Sequence, residues 1–121
     1  MLDKINLDLH LSKEEFKKIT HEWELQLGQI QRELREKGIP TIVLIEGWDT
    51  SGKGTLLNHL LLNLDPRGYW VHNITKPTRE EKLHPYLWRF WNKLPAYGDI
   101  AFFNHSWYWP IILEAQKKVG V

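Results

Sequence analysis

Apolar residues recur at spacings of three and four through the first third of the chain, at Phe16, Ile19, Trp23, Leu27, Ile30 and Leu34. A helix turns once every 3.6 residues, so this spacing gathers them on one face and predicts a long amphipathic helix. Ser12-Lys13-Glu14-Glu15 stands in front of it as a capping box, in which hydroxyl and carboxylate each satisfy an orphan backbone N–H. Gly38 ends it. The stripe also resembles a short heptad, so it fits either packing on its own domain or pairing with a second helix. Residues 1–11 read as an extended arm.

The pattern then changes. Thr41-Ile42-Val43-Leu44-Ile45-Glu46 is a short, β-branched apolar run, as expected of a parallel strand buried on both faces. Leucines at 56, 57, 60, 61 and 64 mark a helix over 55–64, and Asp65-Pro66-Arg67-Gly68 breaks it. Residues 69–74 read as a second strand. Thr78-Arg79-Glu80-Glu81 is another capping box, and Pro85 can open a helix running to about Lys93. Ile100-Ala101-Phe102-Phe103 is a third strand, and Pro110 opens a last helix ending at Val121. Strands alternating with helices predict an α/β fold with a parallel sheet. The expected organisation is an arm and helix over 1–39 and a core over 40–121.

Composition narrows the function classes. With 121 residues there is room for one domain, and 16 basic against 15 acidic residues give a net charge of +1. No long basic arm or acidic tail occurs, so no nucleic-acid or membrane partner is expected. The absence of cysteine excludes disulfides, thiolate metal sites and thiol nucleophiles. The six histidines show no pair at helical spacing, which argues against zinc. With no apolar run of bilayer length and no leader-like start, a cytoplasmic protein is expected.

The candidate chemistry lies between the first strand and the second helix. Gly47-Trp48-Asp49-Thr50-Ser51-Gly52-Lys53-Gly54 fits the pattern Gly-x-x-x-x-Gly-Lys in the strand–loop–helix context that phosphate binding requires. Glycines let backbone N–H groups curl around an anion, the helix N-terminus adds positive potential, and Lys53 reaches the outer phosphates. Gly47, Gly52, Lys53, Gly54 and Thr55 are the expected phosphate-binding residues. Gly54 stands where a metal-binding Ser or Thr is usual, and Thr55 comes one residue late. Asp49 inside the loop makes sense if it holds Mg²⁺ or steers a phosphate acceptor. Lys53, Arg67, Lys76, Arg79, Lys82 and Arg89 all follow the first strand and could line a polyanion track at the strand ends.

The same loop, written Gly-x-Asp-x-x-Gly-Lys-Gly, resembles that of the second family of polyphosphate kinases. The likeness continues through Leu64-Asp65-Pro66-Arg67, Lys76-Pro77-Thr78, Trp88-Arg89-Phe90-Trp91, Leu94-Pro95-Ala96-Tyr97-Gly98 and Phe103-Asn104-His105-Ser106-Trp107-Tyr108. It implies a P-loop three-layer core with strand order 2-3-1, which brings Asn104 to the loop holding Lys53. It implies Mg²⁺-dependent phosphate transfer between inorganic polyphosphate and a nucleoside mono- or diphosphate. Asp49 and Lys53 would be catalytic, with Arg67 and Arg89 as further phosphate contacts.

Two departures qualify this. The family's third strand runs into Phe-Asp-Arg-Ser-Trp-Tyr, whereas this chain has Asn104 and His105. An amide carries no charge and takes no proton, and histidine is cationic only part of the time near neutrality. The altered ending is similar to the N-terminal half of tandem polyphosphate:AMP phosphotransferases. The family's helical lid and last strands are also missing, so the core is expected to be truncated and completed by a homo-oligomer or partner module. The alternative is a non-catalytic half that binds polyanion or packs on a catalytic partner.

Overall fold

A computed structural model describes residues 10–48 and 50–119. The arm expected over 1–11 and the chain end at Val121 therefore fall almost wholly outside the described residues, as does Asp49. The elements run α1 (Lys13–Glu36), β1 (Thr41–Ile45), α2 (Lys53–Leu61), β2 (Tyr69–Asn73), α3 (Trp88–Trp91), β3 (Ile100–Asn104) and α4 (Trp109–Val119). All three strands are parallel in the order β1-β3-β2, the expected 2-3-1 arrangement. Thr41 and Tyr69 both pair with Ile100, and Ile45 and Asn73 both pair with Asn104, so the three strands end level.

Side chains alternate across a strand, and β3, flanked on both sides, feeds two cores. Ile100 and Phe102 join Ile45, Leu57 and Leu64, with Leu27 and Leu34 of α1 packed over them. Ala101 and Phe103 join Ile74 and Phe90 on the other face, with Leu44 and Trp107 at the margin. β1 departs from the expectation of burial on both faces: only Ile45 is buried, and Ile42 is 40% exposed. The cause is its edge position, with one neighbouring strand and little covering the face it shares with α3.

The Ser12 capping box forms: Glu15 N–H donates to Ser12 Oγ at 3.2 Å and Ser12 N–H to Glu15 Oε2 at 3.0 Å. The second half of α1 seats on the core, while Phe16 and Trp23 in its first half are exposed. Gln31, a polar position within the helix, is buried. Its amide donates to Asp65 O at 2.9 Å and accepts from Asp65 N–H at 2.7 Å, fastening α1 to the turn before β2.

The helix expected over 85–93 is a correction, since only the four residues of α3 are helical there. The Thr78 box does form, with Thr78 N–H donating to Glu81 Oε2 at 2.9 Å and Glu81 N–H to Thr78 Oγ1 at 3.1 Å. It closes only a 3₁₀ turn over Glu81–Leu83. Pro85 explains the stop, because its ring forces the preceding His84 to extended backbone (φ −108°, ψ 163°). No helix among the described residues is long and apolar enough to cross a membrane.

Candidate functional site

Parallel strands ending level create one rim where loops converge, and the glycine-rich loop leaves β1 at this rim. Gly52 adopts φ 88°, a left-handed value open to glycine, and is the N-cap of α2 without any side-chain cap. Among the described residues no capping side chain meets the first-turn N–H groups of α2, which is the arrangement that receives an anion. A Cβ at Gly47 would lie 2.9 Å from Ser51 Oγ and displace that hydroxyl, and the φ of 156° there is one that side chains rarely adopt. Gly54 is not required for space, because a Cβ would meet nothing within 4 Å. Thr55 lies exposed in the first turn of α2.

Lys53 curls back over its own loop. Its Nζ donates to Gly47 O at 3.0 Å and Trp48 O at 2.6 Å, so the ammonium is held where the loop's N–H groups would gather phosphates. Trp48 is 44% exposed beside it. Asp49 lies outside the described residues.

Asn104 ends β3 on the face that carries Ile100 and Phe102, the face of α2 and hence of the loop. Its Nδ2 donates to Asn73 Oδ1 at 3.1 Å, while its Oδ1 is buried without a hydrogen-bond partner. An unpartnered buried oxygen suits Mg²⁺, which takes hard oxygen donors. Among the described residues no group of three or more His, Cys, Asp or Glu gathers.

The two arginines are placed differently from expectation. Arg67 is not brought to this rim. It lies in the turn Pro66–Gly68 before β2, at the opposite end of the sheet, about 13 Å of strand away. Its guanidinium is committed to Asp65, with Nε to Oδ1 at 3.1 Å and Nη2 to Oδ2 at 2.8 Å. That pairing holds the Asp65 carboxyl down to about 2. The sequence already sets this turn ahead of the second strand, and a residue at a strand's start lies at the end of a parallel sheet away from the glycine loop.

Arg89 is at the rim but buried, with 9% of its side chain exposed. Its Nη2 donates to Thr75 O at 2.9 Å and lies 3.4 Å from Glu81 Oε2, leaving Nε buried without a partner. The Thr78 N–H, helped by the charges of Arg89 and Lys93, holds the Glu81 carboxyl below its ordinary value. Arg89 lines a cavity of about 220 Å³ with Ile74, Lys76, Tyr86, Ser106 and Trp109. Burial raises the Tyr86 hydroxyl, with Glu46 adding to the effect and Arg89 opposing it.

Glu46 is the residue that sequence reasoning passes over, as the last residue of a strand. Its Oε1 accepts from Ser106 Oγ, a hydroxyl in a residue only 1% exposed, and its Oε2 lies 3.7 Å from His105 Nδ1. A carboxylate ending an apolar strand directly before a glycine-rich loop was the available signal.

A family model described as "Polyphosphate kinase 2 (PPK2)" matches residues 10–118. The chain is 38% identical over 117 residues to a polyphosphate:AMP phosphotransferase of Pseudomonas syringae pv. tomato, covering 94% of this chain and 23% of that protein. It is 33% identical over 98 residues to a GDP-polyphosphate phosphotransferase of Pseudomonas aeruginosa, covering 81% of this chain and 28% of that protein. A crystal structure of polyphosphate kinase 2 from Arthrobacter aurescens TC1 superposes with a TM-score of 0.78 at 27% identity, over 89% of this chain and 41% of that one. The chain thus spans about a quarter of the length of these two curated relatives.

Proposed function

The chain belongs to the polyphosphate kinase 2 family, and from that premise we propose that it is the phosphate-binding part of a polyphosphate-dependent nucleotide phosphotransferase. The observation that carries this reading is the glycine-rich loop at the strand rim, with Lys53 folded over it and the side-chain-uncapped N-terminus of α2 behind it. Inorganic polyphosphate occupies the loop, with Gly47, Gly52, Gly54 and Thr55 presenting backbone N–H groups. Lys53 transfers from the Gly47 and Trp48 carbonyls to a phosphate oxygen. A nucleoside mono- or diphosphate enters the cavity beside Arg89, whose Nε is a buried donor without a partner among the described residues.

Asp49 and Asn104 Oδ1 would hold Mg²⁺, which when bound neutralises charge on the transferring phosphate. Asn104 contributes a neutral oxygen and cannot take a proton. This uncharged side chain, already hydrogen-bonded through its NH2 to Asn73, favours a second reading, a module that binds polyanion but turns over weakly and relies on a partner module or second copy. Titration of the chain with tripolyphosphate, ATP, AMP and GDP, followed by assay for nucleotide product, separates the two. Binding with turnover supports the catalytic reading and binding without turnover the second. No binding to any of the four overturns both.

A further inference from the structure

Glu46 and His105 sit one residue beyond the paired ends of β1 and β3. The ladder runs on to them, because His105 N–H donates to Ile45 O at 3.1 Å. Two polar atoms then face one another. Glu46 Oε2 and His105 Nδ1 lie 3.7 Å apart, both are buried, and neither has a hydrogen-bond partner among the described residues. A buried carboxylate oxygen with no donor is costly, and the imidazole 3.7 Å away can supply one. The other half of the carboxylate is already fixed by Ser106 Oγ, which also accepts from Tyr108 N–H at 3.2 Å and so is itself held in place.

The backbone and ring of His105 fit the same assignment. His105 has φ 62°, a left-handed value that few non-glycine residues adopt, histidine being among the more frequent of them. Its ring lies against Trp109, with centroids 3.7 Å apart. The ring contact holds the imidazole at the start of α4, with Nδ1 3.7 Å from Glu46 Oε2. Glu46 directly precedes Gly47, whose carbonyl anchors Lys53. A shift of Glu46 is therefore a shift of one of the two anchors of the loop's cation.

We propose that Glu46 and His105 act as a positioning pair. It holds the root of the phosphate loop against the end of β3, and His105 is committed to Glu46 rather than to a bound phosphate. The inference rests on the reading of the loop as a polyphosphate site. It goes beyond it by assigning roles to Glu46 and His105.

The test is a double-mutant cycle on the chain with Glu46→Gln, His105→Gln and the double variant. It is read once by urea unfolding without ligand and once by calorimetric titration with tripolyphosphate. Glu46→Gln keeps one acceptor oxygen for Ser106 and exchanges the other oxygen for a neutral NH2 of the same size, so misfolding is not the expected result. Each single variant should lower the unfolding midpoint and weaken tripolyphosphate about 3- to 10-fold, as for residues in direct contact. The double variant should be no worse than the poorer single one. His105→Arg, which sets a permanently cationic donor opposite Glu46, should restore most of the loss when Glu46 is present and none of it in the Glu46→Gln background.

Additive effects in both measurements overturn the pair. So does an undiminished effect of His105→Gln on affinity when Glu46 is already replaced, because that assigns His105 to the phosphate. Should the unaltered chain fail to bind tripolyphosphate, the unfolding cycle still decides the pair, and only the reading of the loop falls.

Discussion

Replacing Lys53 with alanine isolates the contribution of the loop's cation. A unit charge about 4 Å from a phosphate oxygen, at an effective dielectric of about 20, gains roughly 4 kcal/mol. In the free protein that ammonium is bonded to Gly47 O and Trp48 O, and it surrenders both contacts when it turns to a phosphate. Discounted for the solvent exposure of the loop, the two are worth about 2 kcal/mol together. The difference is about 2 kcal/mol, or about a 30-fold rise in the Kd for tripolyphosphate. Titration calorimetry at low salt measures it, and the gap between the two proteins should narrow as salt is added. A Lys53→Ala chain that binds within about twofold of the original, a difference of only about 0.4 kcal/mol, with an unchanged unfolding midpoint, would show that the ammonium does not meet the phosphates.

Three further outcomes follow from the fold and its charges. Phe103 is fully buried between His72, Phe90 and Trp107, so Phe103→Ala should cost about 3–5 kcal/mol in urea unfolding; a loss below about 1 kcal/mol would contradict its central place. Ser12→Ala removes the hydroxyl of the α1 capping box and should cost about 1 kcal/mol, seen as helix content lost first from the N-terminal end in far-ultraviolet circular dichroism with amide exchange. Asp65 is held at about 2 by Arg67, below the ordinary carboxylate value of about 3.9. Its folded value is the lower one, so its stabilising effect is complete above about pH 4 and disappears as pH falls through about 2. The original chain and Asp65→Asn should differ in stability at neutrality and converge over that window, and a constant difference would refute the pairing.

Much of this was legible in the residues because local chemistry and tertiary context agreed. The strand run 41–46, the glycine loop and the helix behind it each carry their own signal, and none needs a distant partner to be recognised. What misled was information that only packing supplies. β1 reads as doubly buried because its residues are apolar, yet its edge position leaves Ile42 at the surface. The Thr78 box is correct as a local bond pattern, but the Pro85 ring that follows leaves it only a short turn to cap. Arg67 was placed by its rank after the first strand, whereas its location follows from preceding β2 rather than leaving it. Glu46 and Gln31 were missed because each is defined by a partner far along the chain, Ser106 in one case and Asp65 in the other.

The level, three-stranded sheet has a consequence for solvent exchange. Thr41 N–H donates to Asp99 O and His105 N–H to Ile45 O, which fixes the phase of the β1–β3 ladder. Peptide groups alternate sides along a strand, so the amides of Thr41, Val43 and Ile45 face β3 while those of Ile42 and Leu44 face outward. On the far edge, Ile74 N–H donates to Asn104 O, which turns the amides of Trp70 and His72 inward and those of Val71 and Asn73 outward. Deuterium should therefore enter β1 and β2 at every second residue and β3 last of all. Loss of that alternation on one edge, when a second chain is added, would identify which edge the second chain pairs with.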